Sequence, residues 1–334
     1  MEPIFDPFHA ASTAAVFLDR SDRVRLAVSG PDRAKFLHNL TTNDVKRLEV
    51  GRGVEAFVTS PQGKTIGYVT MLATDDAVLV RTDAGGSALF LPHFQKYGVF
   101  DDVTIDDLSA DTFEFHVAGP NAEAVVGRVG GPLPEAGDLR HGEATVGAER
   151  VRIVRESPTG YPGLTVQGAR AAADAVRQAI LQAGAAFGVV ELDQAAAELL
   201  RIEAGVPAFG RDVTADNLPQ EVGRDAQAIN FVKGCYLGQE TVARIDALGH
   251  VNKHLRGLLL TGGADEVPPP GSAIEADGKV VGQVTSSAYS PRRGGAVALG
   301  YVRTAKAAAG SAVEVVAGET RRKAVVSDLP MQAP

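Results

Sequence analysis

The chain has 334 residues, 45% hydrophobic and 22% charged, with a formal net charge of −8 and one cysteine, which predicts two or three domains of ordinary soluble composition. The acidic balance, with no long basic run, argues against strong direct binding of nucleic acid, and one cysteine excludes an internal disulfide and cannot alone supply the ligands of a typical iron–sulfur cluster. No apolar run approaches a membrane span, and Met1-Glu2-Pro3-Ile4-Phe5-Asp6 has no basic segment ahead of an apolar core, so a soluble, cytoplasmic protein with no membrane partner is expected.

In chain order, Val24–Val28 reads as a strand and Ser29-Gly30-Pro31-Asp32 as the start of a helix, with Phe36, Leu37 and Leu40 on one face. Phe57-Val58-Thr59, the turn Ser60-Pro61-Gln62-Gly63-Lys64 and the return Ile66–Leu72 read as a hairpin, followed by a strand at Ala77–Arg81 and a helix around Ser87–Lys96. Phe115-His116-Val117-Ala118-Gly119-Pro120-Asn121 then repeats Leu26-Ala27-Val28-Ser29-Gly30-Pro31-Asp32. Two such copies predict a duplicated α+β unit rather than a solenoid. Arg150–Arg155 is a further strand. Helices are expected over Ala169–Gln182 and Glu191–Glu203, the second ended by Gly205.

Beyond about residue 255 the pattern changes. Leu255–Leu260, Ala273–Glu275, Val280–Ser286, Ala296–Val302, Ala312–Val316 and Lys323–Val326 are short strands parted by turns such as Asp277-Gly278. They predict a small antiparallel barrel over residues 256–334. The body, residues 1–255, divides into 1–110 with 190–255, and 111–189.

Chemistry concentrates in two stretches. Lys233-Gly234-Cys235-Tyr236-Leu237-Gly238-Gln239-Glu240-Thr241-Val242-Ala243-Arg244 holds the only cysteine between glycines, ahead of a helix. A thiol there feels the positive end of the helix dipole, although the same spacing fits a small buried hydrophobe. The second stretch is Arg201-Ile202-Glu203-Ala204-Gly205-Val206-Pro207 with Gly210-Arg211-Asp212. Here Glu203 could accept paired N–H donors from a flat heterocycle, or simply pair with Arg201 at the helix surface. His250 and His254 have helix spacing but no third metal ligand beside them; no stably bound metal is expected. Arg292-Arg293 reads as a hairpin tip.

Lys-Gly-Cys-Tyr-x-Gly-Gln-Glu continuing to Val-Ala-Arg resembles the signature of the YgfZ family of folate-binding proteins, related to the aminomethyltransferase (T-protein) of the glycine cleavage system. The Arg201–Asp212 stretch is similar to a T-protein segment. So are Ser29-Gly30-Pro31-Asp32, Thr42-Asn43-Asp44-Val45 and Thr159-Gly160-Tyr161-Pro162-Gly163, the last with Tyr161 in place of a glutamate. The resemblance covers roughly Ser21 to Tyr301. It implies an α+β fold: two ferredoxin-like subdomains around a central folate cavity, plus the C-terminal antiparallel barrel. It further implies tetrahydrofolate or a one-carbon derivative as cofactor, with Glu203 holding the pterin and Arg244 or Arg201 meeting the glutamyl tail. Lys233, Gly234, Gln239 and Glu240 would complete the folate-binding set, with Cys235 as the working thiol. Aminomethyltransferases carry an acidic pair where this chain has Gly67 and Tyr68, and glycine cannot handle a proton; Asp75 and Asp76 lie beyond a turn. The expected function is therefore that of a folate-binding accessory protein supporting iron–sulfur enzyme maturation or repair and, through it, tRNA modification, with iron–sulfur proteins or assembly factors as transient partners. The alternatives are a tetrahydrofolate-dependent aminomethyltransferase or demethylase, and a non-catalytic scaffold with a vestigial cavity.

Overall fold

A computed structural model of the chain describes residues 6–261 and 267–331; the reading made on Met1–Phe5 lies outside them. The chain begins with α1 (Pro7–Thr13) and β1 (Ala15–Asp19), which joins the second unit's sheet. The elements of the first unit are β2 (Val24–Ser29), α2 (Arg33–Leu40), β3 (Gly53–Thr59), β4 (Thr65–Ala73), β5 (Ala77–Thr82), α3 (Ser87–Tyr97) and β6 (Thr104–Asp107). The second contributes β7 (Thr112–Ala118), α4 (Ala122–Val129), β8 (Gly130–Gly131), β9 (His141–Val146), β10 (Glu149–Glu156), β11 (Gly163–Ala169), α5 (Ala173–Ala185) and β12 (Val189–Glu191). After these come α6 (Gln194–Ala204), α7 (Asp225–Ala228) and α8 (Gln239–Leu248).

One sheet has the order β3-β4-β5-β2-β6 and the other β12-β1-β7-β11-β10-β9-β8. The repeated strand, Gly-Pro turn and helix of the sequence open both units, at β2–α2 and β7–α4. Each turn glycine has positive φ: +99° at Gly30 and +115° at Gly119. A Cβ at Gly30 would lie 2.3 Å from the Asp102 carbonyl oxygen, and one at Gly119 2.7 Å from that of Ala11. Only glycine suits both demands. The first sheet is a ferredoxin-like plan with one extra antiparallel strand; the second has three strands beyond that plan, and β12 pairs in parallel with β1 at its edge. Ala169, expected to begin a helix, pairs with Thr112 as the last residue of β11, and α5 starts at Ala173 after a single 3-10 turn.

Alternation along the strands sorts side chains onto two faces. On the outer face of the first sheet, α2 and α3 bring Phe36, Leu37, Phe90 and Phe94 onto Leu26, Val28, Val69 and Met71. On the second, Val125, Val126, Val176 and Ile180 of α4 and α5 cover Phe113, Phe115, Ile153 and Val166. Burying each of these large apolar side chains is worth about 1.5–3 kcal/mol. The inner faces, which turn toward each other, share a small apolar patch of Leu72, Leu79, Leu139 and Val154. Otherwise they carry buried polar groups: Arg81, Glu114, His116, Thr165 and Gln167.

The C-terminal strands are β13 (Lys253–Leu260), β14 (Ala273–Ala276), β15 (Lys279–Ser290), β16 (Gly295–Arg303), β17 (Ala312–Ala317) and β18 (Thr320–Ser327). They close into a six-stranded barrel in the order β13-β16-β15-β14-β17-β18, which leaves no free sheet edge. Leu258, Ile274, Val284, Val302 and Val315 fill it. Outside the barrel, Leu255, Val297, Leu299 and Tyr301 form one core with Ile202 of α6 and Phe57 of β3.

Candidate functional site

A cavity of about 1590 Å³ opens where the inner faces of the sheets meet α6 and residues 206–211. Its walls carry Arg20 and Arg23 from the turn after β1, Glu55 and Tyr68 from β3 and β4, and Asp138 from the loop before β9. Glu156 at the end of β10, Glu198 and Arg201 on α6, and Arg224 ahead of α7 add further charges to the lining.

A buried ion network forms the floor. Arg23 Nη1 donates to Glu114 Oε1 at 3.0 Å, and Arg81 grips Glu156 with both terminal nitrogens at 3.2 and 2.7 Å. Thr165 Oγ1 donates to Glu156 at 2.5 Å and accepts from His116 Nδ1 at 2.8 Å, which puts the proton of the neutral imidazole on Nδ1. Burial, reinforced by Arg20, pulls His116 down to about 3. Burial alone would raise Glu114, but Arg23, Arg81 and Arg20 overcome it and hold the carboxyl down to about 2. Glu156 is likewise held low, by Arg81 and Arg20 against the effect of burial. Arg20 stands 3.6 Å from Glu156 and 3.9 Å from Glu114, and its buried Nη1 has no hydrogen-bond partner. Such a donor fits an acceptor atom on a ligand in the cavity.

On the opposite wall Tyr68 donates to Glu55 Oε2 at 2.5 Å, while Arg224 reaches Glu55 Oε1 at 2.6 Å and the Tyr68 oxygen at 3.2 Å. Burial and Glu55 together raise Tyr68 far above the ordinary phenol range, so it keeps its proton. Asp138 is raised by burial and then by Glu55 and Glu156. Its neighbour Leu139 holds φ at +53° and is buried against Leu72 and Val154. This backbone conformation is rare for a branched residue and is fixed by that packing.

Of the residues singled out in the sequence, some lie at this cavity, some on a separate surface loop and some at neither. Tyr68 faces the cavity. Gly67 faces the other way: a Cβ there would lie 2.8 Å from Phe90 and 3.0 Å from Val58. Asp75 and Asp76 sit exposed in the β4–β5 turn. Glu203 does not line the cavity. It is buried and held by the barrel, with Ser290 Oγ at 2.7 Å, Arg292 Nε at 3.0 Å and Arg292 Nη2 at 2.7 Å. Its carboxylate ties α6 to the barrel. Arg292 and Arg293 accordingly belong to that joint (Arg293 lies 3.5 Å from Glu203). Arg201 lines the cavity, but its guanidinium is engaged by Glu198 at 2.5 and 2.9 Å, Asp212 at 2.6 Å and Ser286 at 2.9 Å.

Lys233 is buried, and its Nζ donates to the carbonyl oxygens of His38, Thr41 and Asn43 at 2.6, 2.6 and 2.8 Å. These include the open carbonyls at the C-terminal end of α2, where a cation is favoured. Leu237 adds a backbone bond to Asn39 at 2.8 Å and receives one from Thr59 Oγ1 at 2.6 Å. Gly238, at φ +84°, closes the loop where a Cβ would lie 2.4 Å from the Ser60 carbonyl oxygen. Cys235 is exposed between these fixed points, so it is no buried hydrophobe. Gly234, Glu240 and Arg244 are exposed as well, and Gln239 accepts from the Tyr236 amide at 3.3 Å. None of residues 233–244 lines the cavity; Arg244 is exposed on α8. His254 lies on β13 and His250 in the turn after α8, so they share no helix face.

Arg20, Arg23, Glu55, Asp138, Glu156, Glu198 and Arg224 are among the cavity groups that sequence reasoning missed. Two of them flank the turn Arg20-Ser21-Asp22-Arg23, whose charge pattern is that of an ordinary solvated turn.

Residues 2–231 match the GCVT N-terminal domain, and residues 253–332 match the glycine cleavage T-protein C-terminal barrel domain. A chloroplastic protein of Arabidopsis thaliana, provisionally named as a transferase, is 30% identical over 97% of this chain and 73% of its own. An aminomethyltransferase of Desulforamulus reducens is 27% identical over 98% of this chain and 90% of its own. Among solved structures, the glycine cleavage system aminomethyltransferase T from Bartonella henselae superposes with a TM-score of 0.86 at 21% identity. That superposition spans 98% of this chain and 89% of that one, a likeness of fold.

Proposed function

This chain belongs to the glycine cleavage T-protein family, and from that premise we propose that its cavity binds tetrahydrofolate or a one-carbon derivative in a role other than aminomethyl transfer. The lining suits such a ligand. Arg20 offers an unused buried N–H to an oxygen of the ligand, ionised Glu156 is a ready acceptor for ring or amino N–H groups, and Asp138 holds a proton more readily than an ordinary aspartate. The folate, when bound, supplies the one-carbon chemistry. The chain's own groups bind it, orient it and keep Tyr68 protonated.

One observation carries the choice against transfer. At Gly67 the space for any side chain is already filled by Phe90 and Val58, and the adjoining position that faces the cavity is a phenol locked to Glu55 and Arg224. No carboxylate stands at the point where transferases of the family carry their acidic pair. The exposed, firmly anchored Cys235 fits the finer reading of an accessory protein that acts on iron–sulfur enzymes through a surface thiol, as the YgfZ-like motif suggests. The names of the relatives favour the second reading, an aminomethyltransferase.

Anaerobic calorimetry separates these readings. Tetrahydrofolate is expected to bind the wild type near micromolar, about −8 kcal/mol, and at least about ten-fold more weakly to Arg20→Gln; no heat with the wild type overturns the folate site. Turnover of an aminomethyl donor by the wild type would overturn the non-transferase role. In cells lacking the protein, Cys235→Ser is expected not to restore iron–sulfur enzyme activity. Full restoration would remove the thiol from the function.

A further inference from the structure

A second cavity, of about 380 Å³, lies between the same two sheets on the far side of the ion network, and nothing in the folate reading uses it. Leu79 of β5, Leu108 ahead of β7 and Val151 of β10 give it apolar walls, and Arg150 and Arg152 of β10 stand at its rim with Glu143 of β9. Its volume and this mixture of apolar wall with a few polar groups are those of a small-molecule site.

Three features make it a built site rather than a surface dent. The first is charge. Arg150 reaches Glu143 at 3.0 Å and Arg152 reaches the same carboxylate at 3.3 Å, so two guanidiniums share one anion, and with Arg25, Arg81 and Asp111 also in the lining four cations stand against two carboxylates. The second is orientation. Arg152 Nη1 is bonded to His141 Nδ1 at 2.9 Å, and His141 Nε2 lies 3.2 Å from the Arg52 carbonyl oxygen. A carbonyl only accepts, so Nε2 carries the proton and Nδ1 receives the Arg152 donor. Burial and Arg152 pull His141 down to about 4, so this support keeps one tautomer through neutral pH. The third is an unused donor. Arg81, 1% exposed, lines this cavity, and its Nε–H has no hydrogen-bond partner.

We propose that this second cavity binds a small organic monoanion, a carboxylate on a compact apolar body, with the carboxylate at Arg152 and Arg150 and the apolar body against Leu79, Leu108 and Val151. The rim favours an anion over a cation, since its net charge is positive and its guanidiniums are suited to a planar carboxylate. The apolar walls favour a hydrocarbon body over inorganic phosphate, which would leave them facing water.

The probe is 4-fluorobenzoate, followed by fluorine NMR on the full chain, with 4-fluorobenzyl alcohol and 4-fluorobenzylamine at the same concentration. Saturable broadening of the carboxylate alone is expected, weakened about ten-fold by Arg152→Gln and several-fold by Arg150→Gln. Arg150 is 83% exposed at its side chain, so its replacement reports on binding even if Arg152→Gln fails to fold. Equal broadening by alcohol and carboxylate, no saturable broadening at all, or binding unaffected by Arg150→Gln would each overturn the proposal. None of these results depends on folate, so the two readings stand or fall separately.

Discussion

In the central cavity charged side chains hold one another. Arg20, Arg23 and Arg81 face Glu114, Glu156 and Asp83, and what is left without a hydrogen bond is one N–H on each arginine, Nη1 of Arg20 and Nε of Arg23 and Arg81. In the Cys235 loop a single buried ammonium holds backbone carbonyls, and the thiol it positions is left in solvent. The first arrangement stakes the fold on the site, because removing one charge strands another in the interior. The second does not, because the loop is fastened by groups other than the one that would react. Damage to the cavity should therefore appear first as lost stability, and damage to the thiol as lost function in an intact protein.

The severest way to break that contrast is Arg81→Met. It strands Glu156 and Glu114 and is expected to cost about 3–5 kcal/mol in urea unfolding. A loss below about 1 kcal/mol would mean that the network is not locked in this way. Acid should find the same weakness more gradually. His116 and His141 take up a proton only near pH 3 and 4 in the folded chain, against about 6.5 unfolded. Between these limits the unfolded state binds more protons, so stability present above pH 6.5 is lost as pH falls. The loss is expected at roughly 2 kcal/mol per pH unit near pH 5, with Glu114 adding its own between about 4.5 and 2. A melting temperature unchanged from pH 7 to 5 would contradict this. The smallest effects belong to the loop. Lys233→Met should cost about 1–3 kcal/mol from carbonyls left without a donor, and Cys235→Ser no more than about 0.5 kcal/mol. Both should leave tetrahydrofolate affinity within two-fold, roughly the scatter of independent sites, and a large loss in either would join the two regions into one site.

How much of this could be read in advance follows from how far apart the partners lie in the chain. All six barrel strands stand where alternation and turn residues put them. Asp277-Gly278 forms its tight turn with φ of +52° and +70°, as a two-residue hairpin requires. The Gly-Pro repeat opens both units. β1 escaped, because Val16-Phe17-Leu18 is buried on both faces and shows no alternation. The cavity escaped for a different reason. Arg23 and Glu114 are 91 residues apart, Arg81 and Glu156 75, and each alone looks like a solvated surface charge. Glu203 is hard to place from sequence on the same ground: its partner Arg292 lies 89 residues away, in a stretch that reads as an ordinary hairpin tip. The Lys233–Arg244 motif, by contrast, is local, and its glycines do what glycines there suggest, although its thiol is exposed and outside the cavity lining.

Asp212 lends the barrel a part in the cavity. It is fully buried; Oδ1 accepts from Thr285 and Ser286 of β15 at 2.5 and 2.7 Å, while Oδ2 accepts from Arg201 at 2.6 Å and the Ala208 amide at 3.0 Å. Arg201 and the segment after Val206 are cavity wall; Thr285 and Ser286 are not. A barrel that contributes none of its described residues to the chamber thus acts as its buttress, and a change in β15 can spoil the chamber's shape without touching anything inside it. Variation among such proteins in that strand should be read as masonry, not ornament.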